Sequence, residues 1–525
     1  MSSVFKYRFV VLMLVFGFFS LFCEAGSQDA GDEWHQTFVT HDAMGMAIMA
    51  KCGDTKESFH YGYRDFERQL PLNENTLFRI ASVSKTVTAM AALFLSDSGL
   101  LDLDKPLGDI LSFNPANPLF PDVHITTKML LTHTSSIQDG SGYSDFLWDS
   151  YALESPPMLS ELLLPGGDYF TDNMWRLEEP GTFFMYSNLN YGLVASVIEK
   201  VTATRFDKFM KDTFLPLLDV PGGYNPAQIE NINDVAVLYR KPGGQWVPQA
   251  DQFWGEQPDE RELTNYKPGN NGLIFAPQGG LRTTTKGLSK VAELLLNDGI
   301  IDDTLILSEV SLQLLMQPQW EFANGNGDTY FNLFYAFSTG THITTNRPGA
   351  DIVIDGHTFI GHPGAAYGLV SNLYVQPEND AYIIFLTNGV GAGLTFDNRS
   401  SFYSIENDVF DTFETHIFDV CEEDDNGTDT SYLNEYIPRE IKILNAYPNP
   451  FNSTAVIQYT LPESSVVTIR LYDLTGRNLY TNNIGFKAPG KHFTTIHGTG
   501  LSSGAYIVRL QTGSGWDSKM LYLIK

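Results

Sequence analysis

One helical stretch constrains this chain more than any other. Between Arg79 and Asp97 the only charged side chain is that of Lys85, in a segment that is otherwise small or apolar. Apolar residues recur there at helical spacing, and their neighbours are mostly apolar too; the recurring positions are Val83, Val87, Met90 and Phe94. This pattern predicts a helix that is buried on nearly all sides. A lone ammonium group in such a helix is unfavourable unless the protein uses it.

The sequence Ser82-x-x-Lys85 predicts a nucleophile beside its base. Residues three apart lie on one face of a helix, one turn from each other. Burial favours the neutral amine, and a neutral lysine can accept the proton of a serine hydroxyl. The alternative is a surface lysine whose ammonium reaches solvent beside a serine that caps the helix.

Composition narrows the class of protein and its location. The chain has 525 residues, which predicts two or three domains, and its formal charge of −29 argues against nucleic acid or an anionic membrane as a partner. Lys6 and Arg8 precede an apolar run over residues 9–22, followed by small residues, so residues 1–25 are expected to form a secretory signal peptide. No later stretch is long and apolar enough to cross a bilayer.

Two cysteines remain after removal of that segment. Cys52 and Cys421 could form one disulfide in an oxidising compartment. Free, buried thiols are the alternative, and we expect these rather than the bridge. Neither cysteine has the neighbours of a catalytic thiol.

The order of elements predicts an α+β domain over residues 26–421. We expect helices in the middle of this domain and strands at both ends; the expected strands are residues 43–50, 57–64, 333–338, 351–359, 369–376 and 381–387. Residues 422–440 include an acidic run rich in Gly, Thr and Ser and are expected to form a linker. Residues 441–525 contain short strands separated by turns, which predicts a small all-β sandwich.

Two further segments complete a candidate site. Tyr186-x-Asn188 could supply a proton shuttle and a hydrogen-bond partner for the lysine, although a core tyrosine beside a helix start would look the same. His362-Pro363-Gly364-Ala365 starts a strand whose small residues would let a substrate approach an exposed edge. The amides of Ala365 and Ser82 could then bind an oxyanion. The alternative is a glycine-rich turn with a surface histidine.

In this order, Ser82-x-x-Lys85, Tyr186-x-Asn188 and His362-x-Gly364 resemble the motifs of the penicillin-recognising serine hydrolases. That group comprises class C β-lactamases, D-Ala-D-Ala carboxypeptidases and related esterases, and the resemblance extends over residues 32–420. It implies a β-lactamase/transpeptidase-like fold, with an antiparallel sheet and a helical region.

The same resemblance implies roles for the site residues. Ser82 would be the nucleophile, Lys85 the amine that helps to deprotonate it, and Tyr186 the general base and acid. The residues implied to line the site are Asn188, His362 and Gly364, with the amides of Ser82 and Ala365 as oxyanion donors. His133 is expected to be structural.

One departure from the family pattern bears on the substrate. True β-lactamases usually carry Lys-Thr-Gly where this chain has His362-Pro363-Gly364. Histidine is a weaker, pH-dependent cation and proline offers no donor for a substrate carboxylate. The departure favours an esterase or a relaxed peptidase over an efficient β-lactamase. A second departure, Ser136-Ile137 in place of Gly-Leu, predicts only a local change in a loop.

The C-terminal segment has a resemblance of its own. Its motifs are similar to those of type A sorting domains for type IX secretion; they are Ala446-Tyr447-Pro448-Asn449-Pro450-Phe451-Asn452, Leu471-Tyr472-Asp473-Leu474-Thr475-Gly476-Arg477 and Leu501-Ser502-Ser503-Gly504-Ala505-Tyr506. This resemblance implies that the chain interacts with the secretion machinery. It also implies that the protein comes from a Gram-negative-type bacterium and is either secreted or held on the cell surface.

Together these observations predict a secreted serine hydrolase that works through an acyl-enzyme and needs no metal or organic cofactor. Its substrate would be a small molecule or a fragment of peptidoglycan. Two alternatives from other classes remain open: a catalytically silent module that senses peptidoglycan, and an adhesive module anchored at the surface.

Overall fold

A computed structural model describes residues 29–263, 265–421 and 441–524, except residues 448, 452–453, 463–464, 488–489 and 499. The expected signal peptide and the expected linker lie outside the described residues. The chain divides into two compact units, residues 1–421 and residues 422–525. Within the described residues, no helix has the length and hydropathy needed to cross a membrane.

The first unit combines many helices with one large sheet. Its α-helices, within the described residues, are α1 (Ala30–Thr40), α2 (Val83–Asp97), α3 (Thr127–Leu131), α4 (Tyr143–Ala152), α5 (Leu159–Leu163), α6 (Asn188–Thr202), α7 (Phe206–Phe209), α8 (Leu215–Leu217), α9 (Thr285–Leu296), α10 (Glu309–Met316) and α11 (Ser404–Phe413). Its strands are β1 (Gly45–Cys52), β2 (Thr55–Asp65), β3 (Leu70–Pro71), β4 (Phe78–Arg79), β5 (Leu238–Arg240), β6 (Val247–Ala250), β7 (Arg282–Thr283), β8 (Ile300–Ile301), β9 (Thr304–Leu305), β10 (Trp320–Glu321), β11 (Ala336–Phe337), β12 (His342–Ile343), β13 (Ile360–Ala366), β14 (Leu369–Gln376) and β15 (Ala381–Thr387).

Nine strands form one antiparallel sheet in the order β10-β11-β12-β13-β14-β15-β1-β2-β3. Both faces of its centre are buried, so β15 is buried at every residue and is apolar up to its last residue, Thr387, instead of alternating. Ile384 and Leu386 pack into a core shared with α2, α6 and α9. Ile383 and Phe385 point the other way, into a core shared with α1 and α11. The sheet therefore lies between two helical layers.

Helix α2 runs through the larger core as its sequence predicts. Nearly all of its residues are buried, and it ends at Asp97, directly before Ser98 and Gly99. Its first residue, Val83, packs in the same core as Leu373 of β14. This packing holds the start of the helix beside the sheet, where Ser82 lies.

Two expectations about this unit are corrected by the structure, and one feature of it was missed. Residues 351–359 form turns and loop, and the strand there is β13, which begins at Ile360. Cys52 and Cys421 are joined in a disulfide, with the two Cα atoms 5.9 Å apart, so the thiols are not free. The helices α1 and α11, which the sequence analysis did not identify, cover the second face of the sheet.

The second unit is an all-β sandwich. Its strands are β16 (Lys442–Tyr447), β17 (Thr454–Leu461), β18 (Ser465–Asp473), β19 (Asn478–Lys487), β20 (Gly490–His497), β21 (Gly504–Gln511) and β22 (Trp516–Leu523). They form a sheet of three strands, β16-β17-β20, and a sheet of four, β19-β18-β21-β22. Ile457 from the first sheet and Ile469 and Val508 from the second share one apolar core.

Candidate active site

Ser82 lies directly before α2 on a constrained stretch of backbone. Ala81 has a φ of +43°, a left-handed conformation that is unfavourable for a residue with a Cβ. Ser82 itself is helical, and its hydroxyl makes no capping hydrogen bond to the helix. The hydroxyl is therefore not used as an N-cap, which removes one part of the alternative interpretation of Ser82-x-x-Lys85.

Lys85 is fully buried, which removes the other part of that alternative. Its Nζ lies 3.1 Å from Ser82 Oγ, 2.9 Å from Asn188 Oδ1 and 2.9 Å from the carbonyl oxygen of Gln278. Burial lowers the pKa of the amine to about 7, although the carboxylate of Asp139 acts in the opposite direction. A large share of Lys85 is therefore neutral at neutral pH.

The partners of Lys85 fix what its neutral form can do. A neutral amine has two N–H donors and one lone pair. Asn188 Oδ1 and the Gln278 carbonyl can only accept, so they take the two N–H groups. The lone pair then faces Ser82 Oγ, whose O–H becomes the donor. The surroundings of Lys85 thus orient it as an acceptor for the serine proton.

Tyr186 contacts both members of this pair. Lys85 Nζ lies 4.8 Å from the centre of its ring, and its phenol interacts with the side chain of Ser82. Burial raises the pKa of Tyr186 well above its usual value, and the interaction with Ser82 offsets this only in part. The resting phenol is protonated at neutral pH, so it is able to donate a hydrogen bond or a proton.

Asn188 is held in place by a carboxylate that the sequence analysis missed. Asp139 accepts hydrogen bonds from Asn188 Nδ2 at 2.9 Å and from the backbone amides of Asn188 and Leu189, both at 3.0 Å. It also accepts one from the hydroxyl of Ser187 at 2.8 Å. Asp139 therefore caps α6 from a separate loop and directs the amide oxygen of Asn188 toward Lys85.

Strand β13 passes Ser82 with a free edge. It pairs with β12 only at Ile360 and Gly361, whereas its pairing with β14 continues to Ala366. At Gly364 a Cβ atom would lie 2.6 Å from Ser371 Oγ and 3.0 Å from the amide nitrogen of Ser82. Only glycine allows this approach. Ala365 follows on the same edge and is exposed, where its amide can join that of Ser82 in binding an oxyanion.

His362 is buried, which removes the alternative of a glycine-rich turn with a surface histidine. Its Nδ1 lies 2.6 Å from the carbonyl oxygen of Pro363, and only a protonated nitrogen can donate to that acceptor. Burial and the nearby charge of Lys85 lower its pKa well below the usual value. His362 is therefore neutral, with an unprotonated Nε2, and is not a cation for a substrate carboxylate.

His133, which was expected to be structural, lies behind Tyr186. It is buried, and its Nδ1 accepts a hydrogen bond from the amide of Ser187 at 3.2 Å. Its ring centre lies 4.6 Å from that of Tyr186. These contacts fix the start of α6 and one face of the phenol.

A buried ion cluster supports the strand that leads to Ser82. Arg79 of β4 and Arg282 of β7 are paired in register, and both donate to the carboxylate of Asp251. The two guanidinium groups hold the pKa of Asp251 far below its usual value, although burial alone would raise it. The cluster ties the backbone three residues before Ser82 to β7.

The expected site residues meet at one pocket. Ser82, Tyr186, His362, Gly364 and Ala365 line a cavity of about 120 Å³ that opens to solvent. Lys85 and Asn188 lie behind its floor, connected through the hydrogen bonds described above. The remaining wall is aromatic and contains one carboxyl group; it comprises Tyr330, Phe331, Leu333, Phe334, Pro363, Phe396, Ser401, Phe402, Tyr403 and Glu406.

Glu406 is the second functional candidate that the sequence analysis missed. It lies in the first turn of α11 and is buried. The spacing Tyr403-x-x-Glu406 is typical of a helix start, in which a glutamate accepts a hydrogen bond from the amide of the residue that precedes the helix. Here Glu406 accepts from the amide of Tyr403, directly before α11. Nothing in that spacing indicates that the carboxyl group would reach the pocket.

The sheet with its free edge, the buried helix α2 and the Ser-Lys-Tyr group at their junction define the β-lactamase/transpeptidase-like class of proteins. The chain belongs to the Beta-lactamase family, whose model matches residues 32–401. Residues 445–523 match the model of a secretion system C-terminal sorting domain.

Two curated relatives match a part of this chain. Penicillin-binding protein 4* of Bacillus subtilis is 28% identical over 265 residues, which is 50% of this chain and 54% of that protein. Protein flp of Staphylococcus aureus is 27% identical over 226 residues, which is 41% of this chain and 43% of that protein. The chain thus spans about half the length of the curated relatives it matches.

Solved structures agree with the fold. The octameric penicillin-binding protein homologue from Pyrococcus abyssi is 18% identical, with a TM-score of 0.54 over 95% of this chain and 97% of that one. The D-amino acid amidase from Ochrobactrum anthropi is also 18% identical, with a TM-score of 0.53 over 76% of this chain and all of that one. At these identities the likeness concerns the fold alone.

Proposed function

We propose that this chain is a secreted serine hydrolase that forms an acyl-enzyme on Ser82. The observation that carries the proposal is the hydrogen-bond geometry at Lys85. The amine is buried, its pKa is lowered to about 7, and both of its N–H groups are taken by acceptors, so that its lone pair faces Ser82 Oγ at 3.1 Å. A serine hydroxyl with a neutral amine so oriented is an activated nucleophile.

The steps follow from the protonation states. Ser82 Oγ attacks the substrate carbonyl carbon while its proton passes to Lys85, and the amides of Ser82 and Ala365 stabilise the resulting oxyanion. When the bond to the leaving group breaks, Tyr186 donates its proton to that group and regains one from Lys85, whose ammonium lies beside the phenol ring. A water molecule then attacks the acyl-enzyme, and the same groups move the protons in reverse.

We further propose that the substrate is an ester or a D-amino-acid peptide rather than a β-lactam that is turned over efficiently. The support comes from His362 and Pro363, which occupy the place of the lysine and threonine of true β-lactamases. His362 is neutral and donates to Pro363, so neither residue offers a cation or a free hydroxyl to a carboxylate. The fold is shared with a D-amino acid amidase as well as with penicillin-binding proteins.

Mass spectrometry of the purified chain tests the proposal. The protein is incubated with a penicillin and, separately, with a short-chain p-nitrophenyl ester, and the adduct is mapped by peptide digestion. We expect rapid turnover of the ester, with an acyl adduct on Ser82 in quenched samples. Ser82→Ala should abolish both, while Ser58→Ala, a matched change at an exposed serine of β2, should abolish neither. Ester hydrolysis that survives in Ser82→Ala would refute the assignment.

The second unit gives this hydrolase a route out of the cell. We propose that the sorting domain directs the chain through the type IX secretion system to the outer surface or the medium of a bacterium with an outer membrane. Deletion of residues 422–525 should retain hydrolysis in the cell extract and abolish its export. An export level that is unchanged by the deletion would contradict this role.

A further inference from the structure

The pocket beside Ser82 has the chemistry of a site for a cation. Its walls carry aromatic rings on two sides: Tyr330 and Phe334 are stacked, with ring centres 5.5 Å apart, and Phe396 and Tyr403 lie 4.8 Å apart. Aromatic faces attract ammonium groups because the ring quadrupole is negative above the ring. None of the described residues that line the pocket is a lysine or an arginine.

Among the lining residues that the structure describes, Glu406 is the one that carries a carboxyl group. Its Oε1 accepts a hydrogen bond from Asn372 Nδ2 at 3.0 Å, and its Oε2 accepts one from the amide of Tyr403 at 2.8 Å. Both oxygens are thus held as acceptors, and each keeps a further acceptor position. Among the described residues, no lysine, arginine or histidine is paired with Glu406, and the groups that act on its carboxyl group are Asn372 and the amide of Tyr403.

Asn372, which donates to Glu406, has an acceptor of its own that lacks a donor. Its side chain is fully buried on β14, opposite Pro363 of β13, and its Oδ1 has no hydrogen-bond partner within the described part of the chain. A buried carbonyl oxygen without a donor is costly. Around Glu406 the described part of the chain therefore offers more acceptors than donors, together with a carboxyl group that is not paired with a cation.

We propose that the pocket binds the part of the substrate that carries a primary ammonium group, with Glu406 as the residue that recognises it. An ammonium ion supplies the donors and the positive charge that this end of the pocket lacks, and the aromatic rings contact its carbon chain. The inference rests on the proposed function, because the pocket opens at the proposed nucleophile Ser82. It narrows the proposed substrates to esters or amides that carry a free amine.

The protonation of Glu406 makes this recognition depend on pH. Burial raises the pKa of its carboxyl group to about 7. The titratable groups that face it are two phenols, Tyr403 from the start of α11 and Tyr374 from β14, and the pKa of each is raised so that both stay neutral. The preference for an ammonium group should thus strengthen as the pH rises through about 7.

Binding of small probes to the full-length protein tests the proposal without any need for catalysis. The probes are 2-phenylethylammonium and 2-phenylethanol, which have the same shape and differ in charge, and their affinities are measured by saturation-transfer NMR. We expect the amine to bind about 10- to 100-fold more tightly at pH 8, the range of a charge-assisted hydrogen bond. The ratio should fall at pH 6. Equal affinities of the two probes in the wild-type protein would overturn the proposal.

Variants assign the preference to the pocket. Glu406→Gln keeps the shape of the side chain and should bring the ratio of the two affinities close to one, while Glu57→Gln, an exposed glutamate of β2, should leave it unchanged. Because Glu406 also bonds the amide at the start of α11, a second variant avoids that role. Tyr330→Leu removes an exposed ring of the pocket and should weaken the amine more than the alcohol. If the preference for the amine persists in both pocket variants, it does not come from this pocket, and the proposal is refuted.

Failure of the two proposals can be told apart. Amine binding that depends on Glu406, without any ester turnover or adduct on Ser82, would leave the cation site intact and refute the hydrolase. Ester turnover without a preference for ammonium-bearing probes or esters would support the hydrolase and refute the cation site.

Discussion

Removal of the negative charge of Asp139 should lower the pH at which Ser82 becomes reactive. Only the neutral form of Lys85 can take the serine proton, so kcat/KM should rise with pH through the pKa of Lys85, which is about 7. The Asp139 carboxylate stabilises the ammonium form and raises that pKa. Asp139→Asn therefore favours the neutral amine, and the midpoint of the pH profile should move to a more acidic pH.

The size of the pKa shift of Lys85 follows from the distance between its ammonium group and the Asp139 carboxylate. Lys85 Nζ lies 2.9 Å from Asn188 Oδ1, and Asn188 Nδ2 lies 2.9 Å from Asp139 Oδ2. The charges are thus about 7 Å apart, and with an effective dielectric constant of about 40 between a buried amine and an exposed carboxylate their interaction is ~1 kcal/mol. This corresponds to slightly less than one pKa unit, so the midpoint should fall to about 6.

The assay is a pH profile of kcat/KM for a p-nitrophenyl ester, with product measured after quenching at a single pH. Asp139→Asn also disturbs the cap of α6, so its maximal rate should fall, and the midpoint rather than the rate is the informative quantity. Asp145→Asn, an exposed residue of α4, provides the same change in net charge. A midpoint that stays in place or rises in Asp139→Asn would show that Lys85 does not act as the neutral base.

Three further predictions address the site and its support. In steady-state kinetics, Lys85→Ala and Tyr186→Phe should each lower kcat/KM by roughly 10²–10⁴-fold. The double variant should lose little more activity than the less active single variant, because the two groups act as a unit. Cys52→Ser should lower the free energy of unfolding of the first unit by about 2–5 kcal/mol in urea titrations without reductant, and reduction of the wild-type protein should match it. Asp251→Asn leaves two buried guanidinium groups without their anion and should cost about 3–5 kcal/mol in thermal unfolding. Because the pKa of Asp251 is depressed in the folded state, the stability that it contributes is present at neutral pH and is lost as the pH falls through the acidic range.

The centre of the site was predictable because its signal is local. A single lysine in an apolar helix and a serine one turn before it fix their own geometry, and the structure places the two side chains 3.1 Å apart. The separate positions of Tyr186 and His362 became meaningful only through the resemblance to a family. Neither segment by itself predicts that the rings of Tyr186 and His362 lie close together, with their centres 5.9 Å apart.

Asp139 and Glu406 could not be predicted because their roles depend on distant segments. Asp139 lies in a loop, and its partners on α6 follow almost fifty residues later. Glu406 shows a local helix-start pattern, yet its place in the pocket depends on how α11 packs against β14. The disulfide was missed for the same reason, since its two cysteines are 369 residues apart and meet only after the sheet has formed.

The disulfide also determines how the first unit would carry a mechanical load. Cys421 is the last residue of that unit, and Cys52 ends β1, which lies inside the nine-stranded sheet between β15 and β2. A pull transmitted along the chain from the C-terminal unit would reach Cys421 first and pass through the covalent bridge into the sheet. Helix α11, which forms one wall of the pocket, would be relieved of that tension. A chain held by its C-terminal end could thus bear drag at the surface of a cell without distortion of the site around Ser82.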